Sequence, residues 1–110
     1  MNTKEIGNRG EDIASVYLEN NKYTILDRNW KTRWCEIDII ATCKQVVYFV
    51  EVKYRKNDAY GNGLDYITAK KLAQMRFAAE FWVHNNNFNG DYRLAAVSVT
   101  GDDVLLIDDL

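Results

Sequence analysis

Three acids and a lysine stand inside two apolar, β-branched stretches of this chain. Glu36 and Asp38 lie in Cys35-Glu36-Ile37-Asp38-Ile39-Ile40-Ala41, and Glu51 and Lys53 lie in Val46-Val47-Tyr48-Phe49-Val50-Glu51-Val52-Lys53. Each stretch reads as a strand. Residues i and i+2 of a strand share a face, so Glu36 pairs with Asp38 and Glu51 with Lys53. Charges set into hydrophobic strands are expensive to bury without a partner or a task. Hard carboxylate oxygens beside an ammonium suit a metal-binding, phosphodiester-cutting site. The strands must then meet in register. Thr42-Cys43-Lys44-Gln45 is short enough for an antiparallel hairpin. A two-residue loop at 43–44 and a four-residue loop at 42–45 give the same register, with Glu36 opposite Glu51 and Asp38 opposite Phe49. Asp38 and Glu51 become diagonal neighbours, about 7–8 Å apart at the backbone. A three-residue loop would turn one set to the other face and destroy the site.

The remainder of the chain bounds what can position those residues. At 110 residues, 47% apolar and 13% aromatic, it reads as one domain, 1–110, with a real core. No apolar run reaches membrane-spanning length, and the first residues open into a helix pattern without the apolar segment of a signal peptide. These features read as a cytoplasmic protein with no membrane partner. Cys35 and Cys43, at the two ends of one strand, would stand roughly 26 Å apart, beyond the ~7 Å that a disulfide spans. They are expected to be free thiols on the face away from Asp38. Zinc is disfavoured, with no CxxC and a single histidine, His84. The net charge of −2 gives no evidence of a nucleic-acid partner, and its distribution is more useful, though by itself it reads as well as ordinary charge scatter on a solvated surface: residues 28–76 hold ten Lys/Arg against five acids, and the rest four against eleven. The candidate site thus lies in locally positive surroundings that suit a polyanion.

Residues 4–21 have the 3.6-residue period of a helix, with Ile6, Gly10, Ile13, Ala14, Tyr17 and Leu18 on one arc. Gly7 and Gly10 fall inside that arc, where a missing side chain allows close approach to a sheet. Glu11 falls at its edge, as a boundary salt-bridge partner or a site residue, while Asp12 and Glu19 point to solvent. A first strand follows over 22–30. The next residues, Lys31-Thr32-Arg33-Trp34, interleave cations with aromatics; such a segment either grips a nucleic-acid backbone and stacks on bases or covers the sheet edge. After Lys53, Tyr54 to Gly63 reads as a mobile polar loop beside the site. Asp65 or Thr68 caps a second helix running to about Asn85, with Ile67, Leu72, Met75, Ala78, Ala79, Trp82 and Val83 facing the core. Lys71 falls inside that arc and must reach an acid, a carbonyl or a phosphate; Lys70 faces elsewhere. His84 suits the helix C-terminus. Strands follow at 92–99 and 104–107. The fold class is therefore α/β (α+β): helix, three strands, helix, one or two strands, with a mixed central sheet flanked by helices.

That order, with Asp38 followed by Glu51-Val52-Lys53, resembles the PD-(D/E)XK nuclease core, the restriction-endonuclease-like fold. Gly7-Asn8-Arg9-Gly10-Glu11-Asp12-Ile13-Ala14, Tyr17-Leu18, Ile25-Leu26, Arg28-Asn29, Glu36-Ile37-Asp38-Ile39-Ile40-Ala41 and Phe49-Val50-Glu51-Val52-Lys53-Tyr54-Arg55 look like the YraN family, small bacterial proteins assigned to that fold. The resemblance covers nearly the whole chain. Cys35 departs from the glycine usual in that family, Cys43-Lys44 from its Asp-Gly-like turn, and Ala95 from an acid expected in the penultimate strand; none removes a core carboxylate.

The resemblance implies that Asp38, Glu51 and the Val52 carbonyl hold Mg²⁺ or Mn²⁺. It implies that Lys53 positions or activates the attacking water and offsets phosphate charge, and that Glu11 holds a second ion or water. Lys71 resembles the basic residue of the second helix that faces the site in such folds. Glu36, Lys71, Arg55 and Arg28 are expected to support the site or bind phosphate. The implied activity is a metal-dependent endonuclease hydrolysing DNA, rather than RNA, phosphodiester bonds, on branched or single-stranded DNA. A protein this small would cover little DNA alone and would act as a homodimer or with a protein partner. The alternative is a nucleic-acid-binding or partner-binding module that keeps the fold without cleavage, and a purely structural protein would bind no metal.

Overall fold

A computed structural model describes residues 3–55, 67–101 and 103–110, with side chains from residue 8 onward. The elements are α1 (Thr3–Asn20), β1 (Thr24–Lys31), β2 (Glu36–Cys43), β3 (Val46–Arg55), α2 (Ala69–Asn85), β4 (Asp91–Thr100) and β5 (Asp103–Ile107). The five strands form one sheet in the order β1-β2-β3-β4-β5. Neighbours are antiparallel except β3 and β4, which are parallel and joined through α2. This is an α+β fold with a mixed sheet and two helices, in the expected element order. Neither helix is long and apolar enough to cross a membrane among the described residues.

The two helices cover opposite faces of the sheet. Ala14 and Leu18 of α1 pack on Ile39, Ala41, Tyr48, Val50, Ala95, Val97 and Val99. Ala78 and Ala79 of α2 pack on Ile37, Ile40, Val47 and Phe49. Alternation along β3 therefore sends Tyr48, Val50, Val52 and Tyr54 to α1, and leaves Glu51 and Lys53 on the α2 side. Gly10 sets the depth of α1. A Cβ there would stand 2.6 Å from the Tyr54 Cβ, so only glycine lets the helix lie this close to β3. Gly7 and Ile6 of the expected arc fall outside the described side chains.

The β2–β3 hairpin differs from expectation. Its turn residues are Lys44 and Gln45, with φ 51° and 69°, so that Cys43 pairs with Val46 and Thr42 with Val47. Two successive left-handed residues make a turn whose twist matches the strands. Thr42 Oγ1 donates to the Val46 carbonyl across it (3.0 Å). The register is thus shifted by two residues from the loop at 43–44. Continuing it sets Asp38, not Glu36, across from Glu51, and the faces are unchanged because the shift is even.

Alternation in β2 is also broken, at Asp38. Ile37 packs toward α2, whereas Ile39 packs toward α1. The neighbouring strand turns over at the same level: Arg28 reaches Asp12 of α1 at 2.7 Å, while the Trp30 ring lies 6.1 Å from that of Phe81 on α2. Between them Asn29, across from Asp38 in the β1–β2 register, has φ 54°. One left-handed residue, which asparagine tolerates better than most, reverses the face of the residues after it. The expectation that Glu36 and Asp38 share a face by simple alternation is corrected accordingly. So is the position of the thiols: both are free, but Cys43 packs on the α1 side and Cys35 on the α2 side.

Candidate active site

Asp38 and Glu51 meet where the β2–β3 ladder stops. The last described pair is Ile39 with Val50, and the register would next give the Val52 N–H to Ile37. Instead that N–H donates to Asp38 Oδ2 at 2.8 Å. The carboxylate thus lies between the strands, as the reversal at Asn29 requires. A strand residue carries its N–H and C=O to the same lateral side, so the Val52 carbonyl is directed to the same gap.

Lys71 closes the site from the α2 side. Thr68 caps the helix, its Oγ1 accepting from the Lys71 N–H at 3.0 Å, and Asp65, the other candidate cap, lies outside the described residues. The cap fixes the first turn, and the Lys71 side chain runs to Glu51, Nζ to Oε1 at 2.9 Å. The acid demanded by a cation on the helix's inner arc is therefore Glu51. Lys70 is exposed, as expected.

Glu11 arrives from the other face. Gly10 holds that turn of α1 against β3, and the next side chain reaches the Asp38 neighbourhood. Its Oε1 is buried with no hydrogen-bond partner among the described residues. Arg28 and a polar contact from Asn29 steady the rest of the carboxylate. Asn29, which enters the sequence reading only as part of a motif, is the residue that reasoning by type missed: it shapes the backbone opposite Asp38 and also touches Glu11. The available signal was its type, since asparagine is enriched at positive φ.

The electrostatics reflect burial first and the neighbouring charges second. Burial first, and then the Glu36 charge, raise the Asp38 pKa against the opposing effects of the Val52 N–H and Lys71. Burial and Asp38 raise that of Glu51, against its hydrogen bond and charge pairing with Lys71. Burial and Asp38 likewise raise Glu11, against Arg28. Burial works against the Lys71 charge, but its bond to Glu51 and the charges of Glu51, Asp38 and Glu36 prevail, and its pKa rises.

The remaining expected residues are less central. Glu36 is exposed and lines a cleft beside Glu51. Lys53 is exposed on the α2 side of β3. Arg28 is engaged with Asp12, so Asp12 faces solvent while holding a partner. Arg55 ends β3, half-buried, its carbonyl accepting from Gly101 N–H at 3.0 Å. Tyr54 and Arg55 belong to β3 rather than to the expected loop, and the rest of that loop, from 56, lies outside the described residues.

The donor set fits a hard divalent cation. Asp38 and Glu51 offer carboxylate oxygens, Val52 a carbonyl, and the Glu11 Oε1, unpartnered among the described residues, a further acceptor. Among the described residues no three His, Cys, Asp or Glu side chains are gathered as a ready-made metal cage. Mg²⁺ does not need one, since it is held by one or two carboxylates and keeps several waters.

The sequence profile of the uncharacterised protein family UPF0102 matches residues 10–99. The chain is 35% identical over 106 residues to UPF0102 protein FN1370 of Fusobacterium nucleatum subsp. nucleatum, covering 94% of this chain and 88% of that protein. It is 44% identical over 102 residues to UPF0102 protein TW312 of Tropheryma whipplei, covering 86% and 81%. A UPF0102 protein of Cytophaga hutchinsonii is 36% identical over 98 residues, covering 89% and 87%. The matched span holds Glu11, Asn29, Asp38, Glu51, Lys53 and Lys71 together, and on this similarity along nearly its whole length the chain belongs to the UPF0102 family.

Proposed function

We propose that this protein is a metal-dependent nuclease that hydrolyses DNA phosphodiester bonds at Asp38 and Glu51, on a restriction-endonuclease-like core. The observation that carries the reading is the meeting of Asp38 with the Val52 N–H, beside Glu51, at the point where two core strands part. Three acids are held above their ordinary carboxylate values, chiefly by burial, and the buried Glu11 Oε1 has no hydrogen-bond partner among the described residues, which supports a site open to a cation over a closed ion-pair cluster. The strand order, with Asp38 on β2 and Glu51-Val52-Lys53 on β3, supports the fold assignment.

Asp38, Glu51 and the Val52 carbonyl would hold Mg²⁺ or Mn²⁺. When bound, the cation supplies an acidified water and offsets the charge that develops on the phosphate. Lys53 presents a second positive charge to the phosphate and orients the attacking water. Lys71 holds the Glu51 carboxylate in one rotamer. Glu11 accepts a proton or a water hydrogen bond at its open oxygen. The pair between Lys71 and Glu51 also supports a second reading, a nucleic-acid-binding or partner-binding module without cleavage, because it already engages one of the two principal carboxylates.

Titration with Mg²⁺ and Mn²⁺, followed by cleavage assays on duplex, single-stranded and four-way-junction DNA, separates the two. Metal-dependent cutting, lost in Asp38→Ala and in Glu51→Ala, is the expected result. Metal binding or DNA binding without cutting supports the module. A protein that binds neither cation, with variants indistinguishable from the parent, refutes the nuclease.

A further inference from the structure

Next to the carboxylates the described residues line a cleft of about 600 Å³, between the β1–β2 turn and the first turns of α2. This lies within the ~300–1,000 Å³ range of small-ligand sites. Its more buried end holds Glu51, with a side chain 18% exposed, and Met75; its outer part holds Lys31, Trp34, Lys70 and Phe77.

The aromatic residues of this region are unusually open. Trp34 is 66% exposed and Phe77 is 52% exposed. Both lean on Phe81, with ring centroids 6.0 and 6.2 Å away, and Trp30 backs the same ring at 6.1 Å. The outcome is a supported shelf of rings rather than loose side chains. The Thr32 hydroxyl fixes the turn beneath it, accepting from the Trp34 and Cys35 N–H groups at 3.1 and 3.2 Å. The Arg33 guanidinium lies 5.3 Å from the Trp34 ring centre, and Lys31 and Lys70 stand at the rim. A sheet-edge cover would bury its rings. Flat rings held open among cations, in a cleft that Glu51 and Glu36 also line, match the chemistry of a base stacked on an aromatic face with its phosphates on lysine and arginine.

We infer that this cleft takes an unpaired nucleotide, its base stacked on the Trp34–Phe77 shelf and its backbone led past Lys31 and Lys70 to the carboxylates, so that single-stranded or unpaired nucleic acid is the substrate class. The inference rests on the nuclease reading for what happens at Asp38 and Glu51, but not for the binding itself. A base paired within a duplex keeps its faces stacked on its neighbours and has none to offer the shelf. An amphipathic peptide would find the rings equally apolar, but the rim cations favour a polyanion over a neutral occupant.

Fluorescence anisotropy with labelled oligothymidine and with a hairpin duplex, in EDTA so that nothing is cut, tests the assignment. The single strand should bind more tightly than the duplex. Trp34→Ala and Phe77→Ala should each weaken the single strand between about 5- and 100-fold, with the duplex unchanged and Trp34→Phe retaining most of the affinity. Both side chains are exposed, and thermal melts of the variants establish that the fold is kept. Equal affinity for the two DNAs, no measurable binding of the single strand, or a loss of equal size on both overturns the shelf. The two readings fail separately. Cutting of single strands that survives Trp34→Ala removes the shelf and leaves the nuclease. Trp34-dependent binding by a protein that cuts nothing removes the nuclease and leaves the shelf.

Discussion

On the α1 face of the sheet nine buried residues among those described form one apolar cluster, closed by Ile13, Tyr23, Ile25, Val104 and others around it. On the α2 face six buried residues form a smaller cluster at the far end of the helix, and toward the start of the helix the surface opens into the cleft. The faces belong to the same strands, yet Val50 and Val52 serve the closed side while Glu51 and Lys53 serve the open one. The difference shows how a small sheet reconciles stability with charge. Apolar area buried in the larger cluster stabilises the fold and offsets the cost of the acids that burial penalises on the other face. The two meet at the strand gap that Asp38 occupies, with Glu11 reaching into it from the closed side.

The contrast between the faces breaks most severely at Asp38. Asp38→Asn keeps an oxygen for the Val52 N–H and removes the charge, and cutting should fall at least about a thousandfold. Stability should move the other way. Because burial raises the Asp38 pKa, the folded state holds the proton more tightly than the unfolded state. Stability is therefore lost as pH rises from the unfolded carboxylate range, about 3.9, through the folded value, and the ionised group is a standing cost above it. Melting in EDTA should give Asp38→Asn the higher Tm near neutral pH, with the advantage vanishing in acid. A lower Tm near neutral pH would mark the cluster as a stabilising ion-pair network.

Leu18→Ala tests the closed face. It should cost about 2–5 kcal/mol in urea unfolding, while metal affinity measured well below the midpoint stays near that of the parent. Gly10→Ala couples the faces. The added methyl meets the Tyr54 Cβ, and overpacking of about 1–3 kcal/mol exceeds the helix-propensity gain of about 1 kcal/mol. Lifting α1 should also withdraw Glu11, so metal affinity should fall together with stability. A Gly10→Ala protein more stable than the parent would show that the close approach is not needed.

The smallest effect is expected at Asn29. Asn29→Ala should cost about 1–2 kcal/mol for its left-handed backbone, and Asn29→Gly less, because glycine adopts that conformation freely. Both lose the contact to Glu11. Equal stability loss in the two variants would place the residue's importance in its side chain alone.

Much of this was legible in the residues. The 3.6-residue period marked α1 and α2, and it placed Lys71 on an inner face where it had to find an acid. The two-residue alternation marked β3, and Thr68, one of two candidate caps, stood where the helix begins. These are local properties, set by propensity, periodicity and the cost of burying charge, and they determined the element order, the two carboxylates and the lysine beside them. The turn at Lys44-Gln45, the reversal at Asn29 and Asp38, the separation of Cys35 from Cys43 onto opposite faces, and the capture of Arg28 by Asp12 were decided only by the tertiary structure. Each depends on a left-handed residue that is not glycine, or on which helix lies over which face. No single residue type requires such a conformation. It is selected because strand twist, the depth of α1 at Gly10 and the packing of Trp30 against α2 are satisfied together only when the chain turns over there.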